Sequence, residues 1–283
     1  MTIQPGSLSK TGIQHMLRPE DQPEEHPEER PQIYMLGGFQ IACGSKYIRP
    51  EHIHLRRARD LIKLLALSPD HRLHQEQVME YLWPEENPRQ TRHSLNQILY
   101  ILRPLLFSLN STFTIDLTEK HLILAAQPQI WTDVEAFEKA VCCLHIQIEP
   151  AEYRAALQMY SGDLLPDDLY SDLYDRRRER LRQMWLFLLL QLAAFYSREQ
   201  DHTQAVAFLQ QLVEADPANE ETQVMLVMAY ENSGHRCLAL KQYRIMVEIL
   251  QQEYGAAPSP ESQRLYAHLV DPDTQLSILA INK

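Results

Sequence analysis

Between Leu192 and Tyr243 the chain repeats itself at a spacing of 34: Leu192 with Leu226, Tyr196 with Tyr230, Ala205 with Ala239, and Leu209 with Tyr243. A period of that length holds two helices and their turns, and such a pair cannot hide its apolar face alone. The segment must therefore stack antiparallel helix pairs, an arrangement that tends to leave a groove for a partner. Ala193 stands where close packing wants a small side chain and Pro217 ends the first copy, while Val227 and Gln251 take those places in a degenerate second copy. Helical periodicity extends over 131–144, 151–160, 171–198, 203–215, 221–232 and 236–254, broken at Pro150, Pro166, Pro217, Gly234 and Gly255, with a seventh helix expected after Pro260.

The first half reads differently. From Ile33, short apolar segments broken at Gly37-Gly38 and Gly44-Ser45 predict a strand, a turn and a second strand through Tyr47 and Ile48, closed by Pro50. Ala58, Leu61, Ile62, Leu64, Leu65 and Leu67 recur at helical spacing and stop before Pro69, which a helix interior does not tolerate. A second helix covers 75–83, with Val78, Met79 and Leu82 inward and Pro84 as its stop. The third, over 89–103, carries Leu95, Ile98, Leu99 and Leu102 as one stripe and turns Arg89, Arg92, His93, Asn96, Gln97, Tyr100 and Arg103 to its other faces. It has three arginines and no acid. Phe113, Ile115 and Leu117 then alternate with polar residues and, after Thr118-Glu119-Lys120, Leu122, Ile123 and Leu124 close a hairpin. Strands flanking three helices make a winged helix-turn-helix. The predicted fold is thus mainly α: an N-terminal winged helix-turn-helix (α+β) followed by an all-α, tetratricopeptide-like helical repeat domain.

The formal charge of −11 is unevenly spread. Residues 1–32 carry 3 basic and 6 acidic side chains, residues 33–128 carry 11 and 9, and residues 129–283 carry 13 and 23. The segment with the arginine-rich helix is the one with a positive balance, and phosphate contact depends on the local field rather than on the total. Residues 1–32, with five prolines and Glu20-Asp21-Gln22-Pro23-Glu24-Glu25, have too little apolar surface to offset ordering entropy and are expected to be a disordered tail. The longest apolar run, 184–196, is interrupted by Gln191 and falls short of the roughly 20 residues that cross a bilayer, so it is expected to be a core helix and no membrane contact is expected. No targeting segment is recognised at the amino terminus, and Cys43, Cys142, Cys143 and Cys237 show no framework spacing, so the cytoplasm is the expected compartment.

Catalytic and cofactor chemistry finds no constellation. Gly38 and Gly44-Ser45-Lys46 have the wrong spacing and order for a phosphate loop. The pairs His52/His54 and His71/His74 lack cysteines or carboxylates at ligand spacing and are expected on the surface, with no metal. Cys142-Cys143 are expected to be one core and one partly exposed thiol, and Asp163, Asp167, Asp168, Asp172 and Asp175 to cap helices and solubilise the chain. The cluster Arg176-Arg177-Arg178, Arg180 and Arg182 is expected to form intrahelical ion pairs on a solvated face. No catalytic residue and no cofactor are assigned.

Ordered landmarks along 33–270 carry a family resemblance: Leu36-Gly37-Gly38-Phe39, Arg57-Ala58-Arg59 with Leu64-Leu65-Ala66-Leu67, Leu82-Trp83-Pro84, and Ser94-Leu95-Asn96-Gln97 with Leu102-Arg103. The second half adds Trp131-Thr132-Asp133-Val134 with Phe137, the stretch from Tyr160 to Leu165, and Tyr254-Gly255 with Pro258-Ser259-Pro260-Glu261. In these the chain resembles the bacterial transcriptional activator domain proteins, or antibiotic regulatory proteins, which join an OmpR-type winged helix to a tetratricopeptide-like domain. The resemblance implies a winged-helix domain over 33–127, an activator domain over 131–270 and a C-terminal tail over 271–283. It also implies a sequence-specific activator that binds direct repeats in double-stranded DNA as a side-by-side homodimer, contacts RNA polymerase and works on the nucleoid. Two departures stand out: Pro104 follows Arg103, where the third helix is expected to kink or stop a turn early, and Thr118-Glu119-Lys120-His121 replaces the usual glycine turn at the wing.

In that setting Arg92 has the geometry to pair with guanine and Asn96 or Gln97 with adenine, while Arg89, Arg103 and Lys120 suit phosphate. His93 and Tyr100 complete the candidate DNA-binding set: Arg89, Arg92, His93, Asn96, Gln97, Tyr100, Arg103 and Lys120. Arg56, Arg57 and Arg59 are additional backbone candidates, one or two of them pairing with Asp60 or Glu51. The alternative is a protein-interaction module whose winged helix no longer binds DNA. Coverage of Arg92 and Asn96 by the second domain would favour it.

Overall fold

The computed structural model describes residues 30–144, 149–168 and 172–271. Among them the chain forms seven strands and ten α-helices. Strands β1 (Gln32–Tyr34), β2 (Gln40–Cys43) and β3 (Lys46–Ile48) pair antiparallel in turn, with Ile33 opposite Ile41 and Ile41 opposite Ile48 in one buried row. The predicted hairpin is therefore three strands, because Gly44 takes a left-handed φ of 56° and turns the chain a second time. The expected tail boundary at 32 also moves. Arg30 and Gln32 are part of the fold, while the rest of the expected tail, 1–29, lies outside the described residues, as do 272–283 of the C-terminal tail.

Three helices follow: α1 (Arg56–Ala66), α2 (Gln75–Leu82) and α3 (Pro88–Leu109). The buried face of α1, with Ala58, Leu61, Ile62 and Leu65, packs on α2 and α3. Strand β4 (Arg72–His74), which the sequence did not announce, pairs with β6 (His121–Ala125), and β6 pairs with β5 (Thr114–Thr118), giving the order β4-β6-β5. The β5–β6 turn uses Glu119 (φ 48°) and Lys120 (φ 64°) in the left-handed region that glycine would occupy without strain.

Strand β7 (Trp131–Thr132) then runs parallel to β1, completing a sheet of order β3-β2-β1-β7. A helix was expected from 131. Instead these two residues are claimed by the β1 edge, and the Thr132 hydroxyl caps α4 (Asp133–Cys142) by accepting the Glu135 amide at 3.1 Å. The remaining helices are α5 (Pro150–Met159), α6 (Asp172–Arg198), α7 (His202–Ala215), α8 (Glu220–Asn232), α9 (Arg236–Tyr254) and α10 (Pro260–Val270). From α6 onward each packs on the next, and the repeat partners Leu192/Leu226, Ala205/Ala239 and Leu209/Tyr243 are all buried. Glu220, at the start of α8, accepts the Ser259 amide (2.8 Å) and the Ser262 hydroxyl (2.5 Å) of α10, closing the far end of the stack.

The two halves share one core, continuous from Ile33 through the three-helix unit to Leu192 and Leu212. Asp133 is a joint between them. Its Oδ2 accepts the amides of Met35 and Leu36, both at 2.8 Å, and its Oδ1 accepts that of Val134 at 2.8 Å. Burial pushes its carboxyl above the ordinary range, although the amides of Leu36, Met35 and Val134 pull it back. Beside it, Gly37 donates its amide to Asp163 (3.0 Å) and Leu165 to Met35 (2.9 Å). Gly37 has φ +78°, and a Cβ there would stand 2.8 Å from the Ser161 carbonyl oxygen, so no larger residue fits.

Charged groups line the rest of the seam. Lys63 is buried on α1 and pairs with Asp168 at 2.5 Å. Arg177 of α6 donates to the Leu67 carbonyl (2.6 Å) and to Glu138 (2.8 Å), and Arg178 reaches the Leu164 carbonyl (3.0 Å) as well as Asp175 (2.6 Å). Arg182 holds Asp163 (3.3 Å) and the Ala215 carbonyl (2.8 Å). The arginine cluster thus departs in part from the expectation: the Arg178–Asp175 pair is intrahelical, but Arg177, Arg178 and Arg182 also stitch α6 to neighbouring elements, while Arg176 and Arg180 are exposed as expected of a solvated face. Likewise Asp163 and Asp168 serve as ion-pair partners rather than caps. His71 is buried against Glu135 of α4 rather than on the surface, and Cys142 and Cys143 are both exposed.

Candidate nucleic-acid interface

The local sequence builds α3 as a long, two-sided rod. Asn87 caps it by accepting the Arg89 amide at 3.0 Å, and Pro88 fills a first-turn position where no amide is needed. The helix runs through Pro104 to Leu109 without stopping, contrary to the expectation of an early end. Pro104 lies on the exposed side, and Leu102, Leu106 and Leu109 on either side of it stay buried, so packing holds the last two turns despite the missing amide. At 1.5 Å per residue its 22 residues span about 33 Å.

Thr91, Leu95, Ile98, Leu99, Leu102 and Leu106 face the core. Arg89, Arg92, His93, Asn96, Gln97, Tyr100 and Arg103 all face solvent, Tyr100 at 82% exposure. The structure therefore brings seven of the eight candidate residues onto one helix and leaves their faces uncovered by the helical half, Arg92 and Asn96 included. Their local partners differ. Gln97 Nε2 lies 3.1 Å from His93 Nε2, whereas Arg89 and Arg92 have no ion pair among the described residues. Arg92 borders a cleft with Glu76, Glu80 and Glu86, which lower the positive potential on the α2 side. Arg103 donates through Nε to the Ile115 carbonyl at 2.8 Å, tying α3 to the wing. The eighth residue, Lys120, is exposed at the wing turn, and its carbonyl accepts the Gln75 amide at 2.7 Å.

The α1 arginines are engaged. Arg56 pairs with Asp60 (3.9 Å), Arg57 with Glu86 (3.2 Å) while lying over the Trp83 ring, and Arg59 donates to the carbonyls of Pro50 and Ile53. The sequence reading missed the rest of α3. Ile101 and Phe107 are exposed at 45% and 62%, so beyond the polar residues the same rod carries apolar side chains into solvent. At about 3.6 residues per turn both fall off the Leu95–Leu102–Leu106 stripe, Phe107 two turns beyond Tyr100 on the same outward face. Among the described residues no group of three or more His, Cys, Asp or Glu side chains could hold a metal ion, and no helix is long and apolar enough to cross a membrane.

A three-helix unit with a three-stranded wing, fused through a sheet to stacked helix pairs, defines a winged-helix protein with a tetratricopeptide-like partner. The structure of Mycobacterium tuberculosis EmbR in complex with a low-affinity phosphopeptide has this fold. It matches with a TM-score of 0.64 at 19% identity, over 86% of this chain and 65% of that one. Residues 133–270, in the helical half of the chain, match the bacterial transcriptional activator domain. The regulatory protein AfsR of Streptomyces coelicolor is 26% identical over 229 residues, which cover 78% of this chain and 23% of AfsR. The chain thus spans about a quarter of that relative's length.

Proposed function

We propose that this chain is a sequence-specific, DNA-binding regulator of transcription, an activator in which the unit over 33–127 reads double-stranded DNA. The observation that carries this reading is the solvent face of α3: Arg89, Arg92, His93, Asn96 and Gln97 project together, beside a wing bearing Lys120, with no element of the helical half laid over them. A helix about 10–12 Å across with that face enters a major groove about 12 Å wide. Arg92 pairs with guanine and Asn96 or Gln97 with adenine, while Arg89, Lys120 and the free end of Arg103 hold phosphate. The domain over 131–270 pairs two copies side by side on direct repeats about 10–11 base pairs apart and contacts RNA polymerase, in the cytoplasm on the nucleoid. The match of that segment to an activator domain supports its role. No reaction is assigned to it.

The test is binding of the purified chain to duplex DNA from upstream of its own gene, against a shuffled duplex, across a salt series. Preferential binding is expected, its logarithm falling with log salt by about 0.9 for each phosphate contact. Absence of binding to either duplex at low salt would overturn the reading in favour of a protein-interaction module.

A further inference from the structure

The chain enters the described fold beside one end of α3. Arg30 Nε donates to the Gln129 carbonyl (2.5 Å) and Arg30 Nη2 to that of Ile130 (3.2 Å), while the Trp131 amide donates to Pro31 (2.9 Å). Two residues before Gln129, Gln127 is bound by both its amide and its carbonyl to the Thr112 hydroxyl, each at 2.8 Å, in the loop that ends α3. Whatever precedes Arg30 therefore leaves the body of the protein close to the Leu109 end of that helix.

What precedes it is a four-residue repeat: Pro19-Glu20-Asp21-Gln22, Pro23-Glu24-Glu25-His26, then Pro27-Glu28-Glu29-Arg30. Six carboxylates fall between positions 20 and 29, with no lysine or arginine among them. Were they extended at the rise of a proline-rich chain, about 3.1 Å per residue, those ten positions would reach about 31 Å, against about 33 Å for α3. The finer spacing also agrees. Phe107 and Tyr100, seven residues apart on one exposed face of α3, stand about 10.5 Å apart along its axis, and the prolines of a fully extended four-residue repeat would recur about every 12 Å. Between and beyond these rings lie Arg103, Arg92 and Arg89, the last two without an ion pair among the described residues.

We propose that the acidic repeat at 19–29 docks along the solvent face of α3, its prolines on Phe107 and Tyr100 and its carboxylates on the arginines, as an intramolecular stand-in for duplex phosphate. That the covered face is a DNA face rests on the function proposed above; the docking does not. Glu76, Glu80 and Glu86 flank Arg92 and weaken the field there for any anion, tail or duplex.

Zero-length carbodiimide cross-linking of the full chain, read by peptide mass spectrometry, tests the docking without DNA. Carboxylates of 20–29 are expected to join Lys120, and the product is expected to vanish at about 0.5 M salt and in R89Q/R92Q. Cross-links to other lysines alone, or none, would overturn the proposal. A second arm uses the full chain with E20Q, D21N, E24Q, E25Q, E28Q and E29Q, which is expected to bind a non-specific duplex about tenfold more tightly at low salt and equally at high salt. Equal affinity at low salt would overturn the masking. If neither protein binds DNA while the Lys120 cross-link persists, the DNA reading fails and the docking stands.

Discussion

Replacing Asp133 by alanine tests whether the two halves are joined as tightly as the geometry requires. The side chain takes three amide hydrogen bonds, those of Met35 and Leu36 on Oδ2 and of Val134 on Oδ1, all at 2.8 Å. Met35 is fully buried and Leu36 is 4% exposed, so water cannot take over from the carboxylate. Each buried amide left without an acceptor costs about 1–3 kcal/mol. Relief of a buried charge offsets part of this, so Asp133→Ala should lose about 2–4 kcal/mol at neutral pH. Asp133→Asn keeps one acceptor oxygen and should lose about 1–2 kcal/mol. Urea unfolding followed by far-ultraviolet circular dichroism measures both. Burial raises the folded-state affinity of Asp133 for its proton, so its contribution to stability is fully present below the ordinary aspartate value and is lost as pH rises from there through the raised folded-state value. The asparagine variant lacks this slope, and its deficit should narrow as pH rises. An alanine variant within about 0.5 kcal/mol of wild type would refute the idea that these bonds hold the joint.

Other expectations follow from single residues. Arg92→Ala should cost about 1–3 kcal/mol of discrimination between operator and shuffled duplex; unchanged sequence preference in a competition assay would remove Arg92 from base contact. Pro104→Ala restores an amide inside α3 and should raise the unfolding midpoint, the interior proline penalty being up to about 3 kcal/mol; a lower midpoint would mean that the proline sets a bend the core requires. Gly37→Ala places a Cβ 2.8 Å from the Ser161 carbonyl at φ +78° and should destabilise by about 2 kcal/mol or more, whereas a neutral result in thermal melts would show that the loop yields freely. At Glu220 burial pushes the carboxyl up, but hydrogen bonds from Ser262 and Ser259 outweigh it and hold it below the ordinary range. Its stabilisation is therefore present above that range and lost as pH falls through the depressed value, so Glu220→Gln should flatten the acid limb of a Tm-against-pH curve.

Much of this architecture is written in punctuation. Pro150, Pro217, Gly234, Gly255 and Pro260 separate helices whose stripes are local properties, and the structure places α5 through α10 within a residue or so of where those marks fall. Strands β4 and β7 were illegible because three and two residues carry no periodicity. Arg72–His74 is a strand only because β6 offers an edge, and Trp131–Thr132 only because β1 does. The α6 arginines failed for a related reason: spacing reveals Asp175 three residues before Arg178, but nothing local reveals that the Leu67 carbonyl lies beside Arg177. On α3 the apolar stripe was plain, so its polar complement was plain as well. Phe107 follows the outward-facing Tyr100 by two turns, and it went unread because the helix was expected to end at Arg103, which left it outside the pattern.

The β1–β7 pairing means that the chain has no natural cut between its halves. A graft ending near Gln127 would strip β1 of its parallel neighbour, leave an open strand edge, and orphan the Met35 and Leu36 amides. A portable unit has to run from Arg30 to at least Asp168 so that β7, Asp133 and the buried partner of Lys63 travel together. If α3 reads DNA as proposed, swapping specificities between such chains means replacing its surface residues in place, not exchanging modules at a linker.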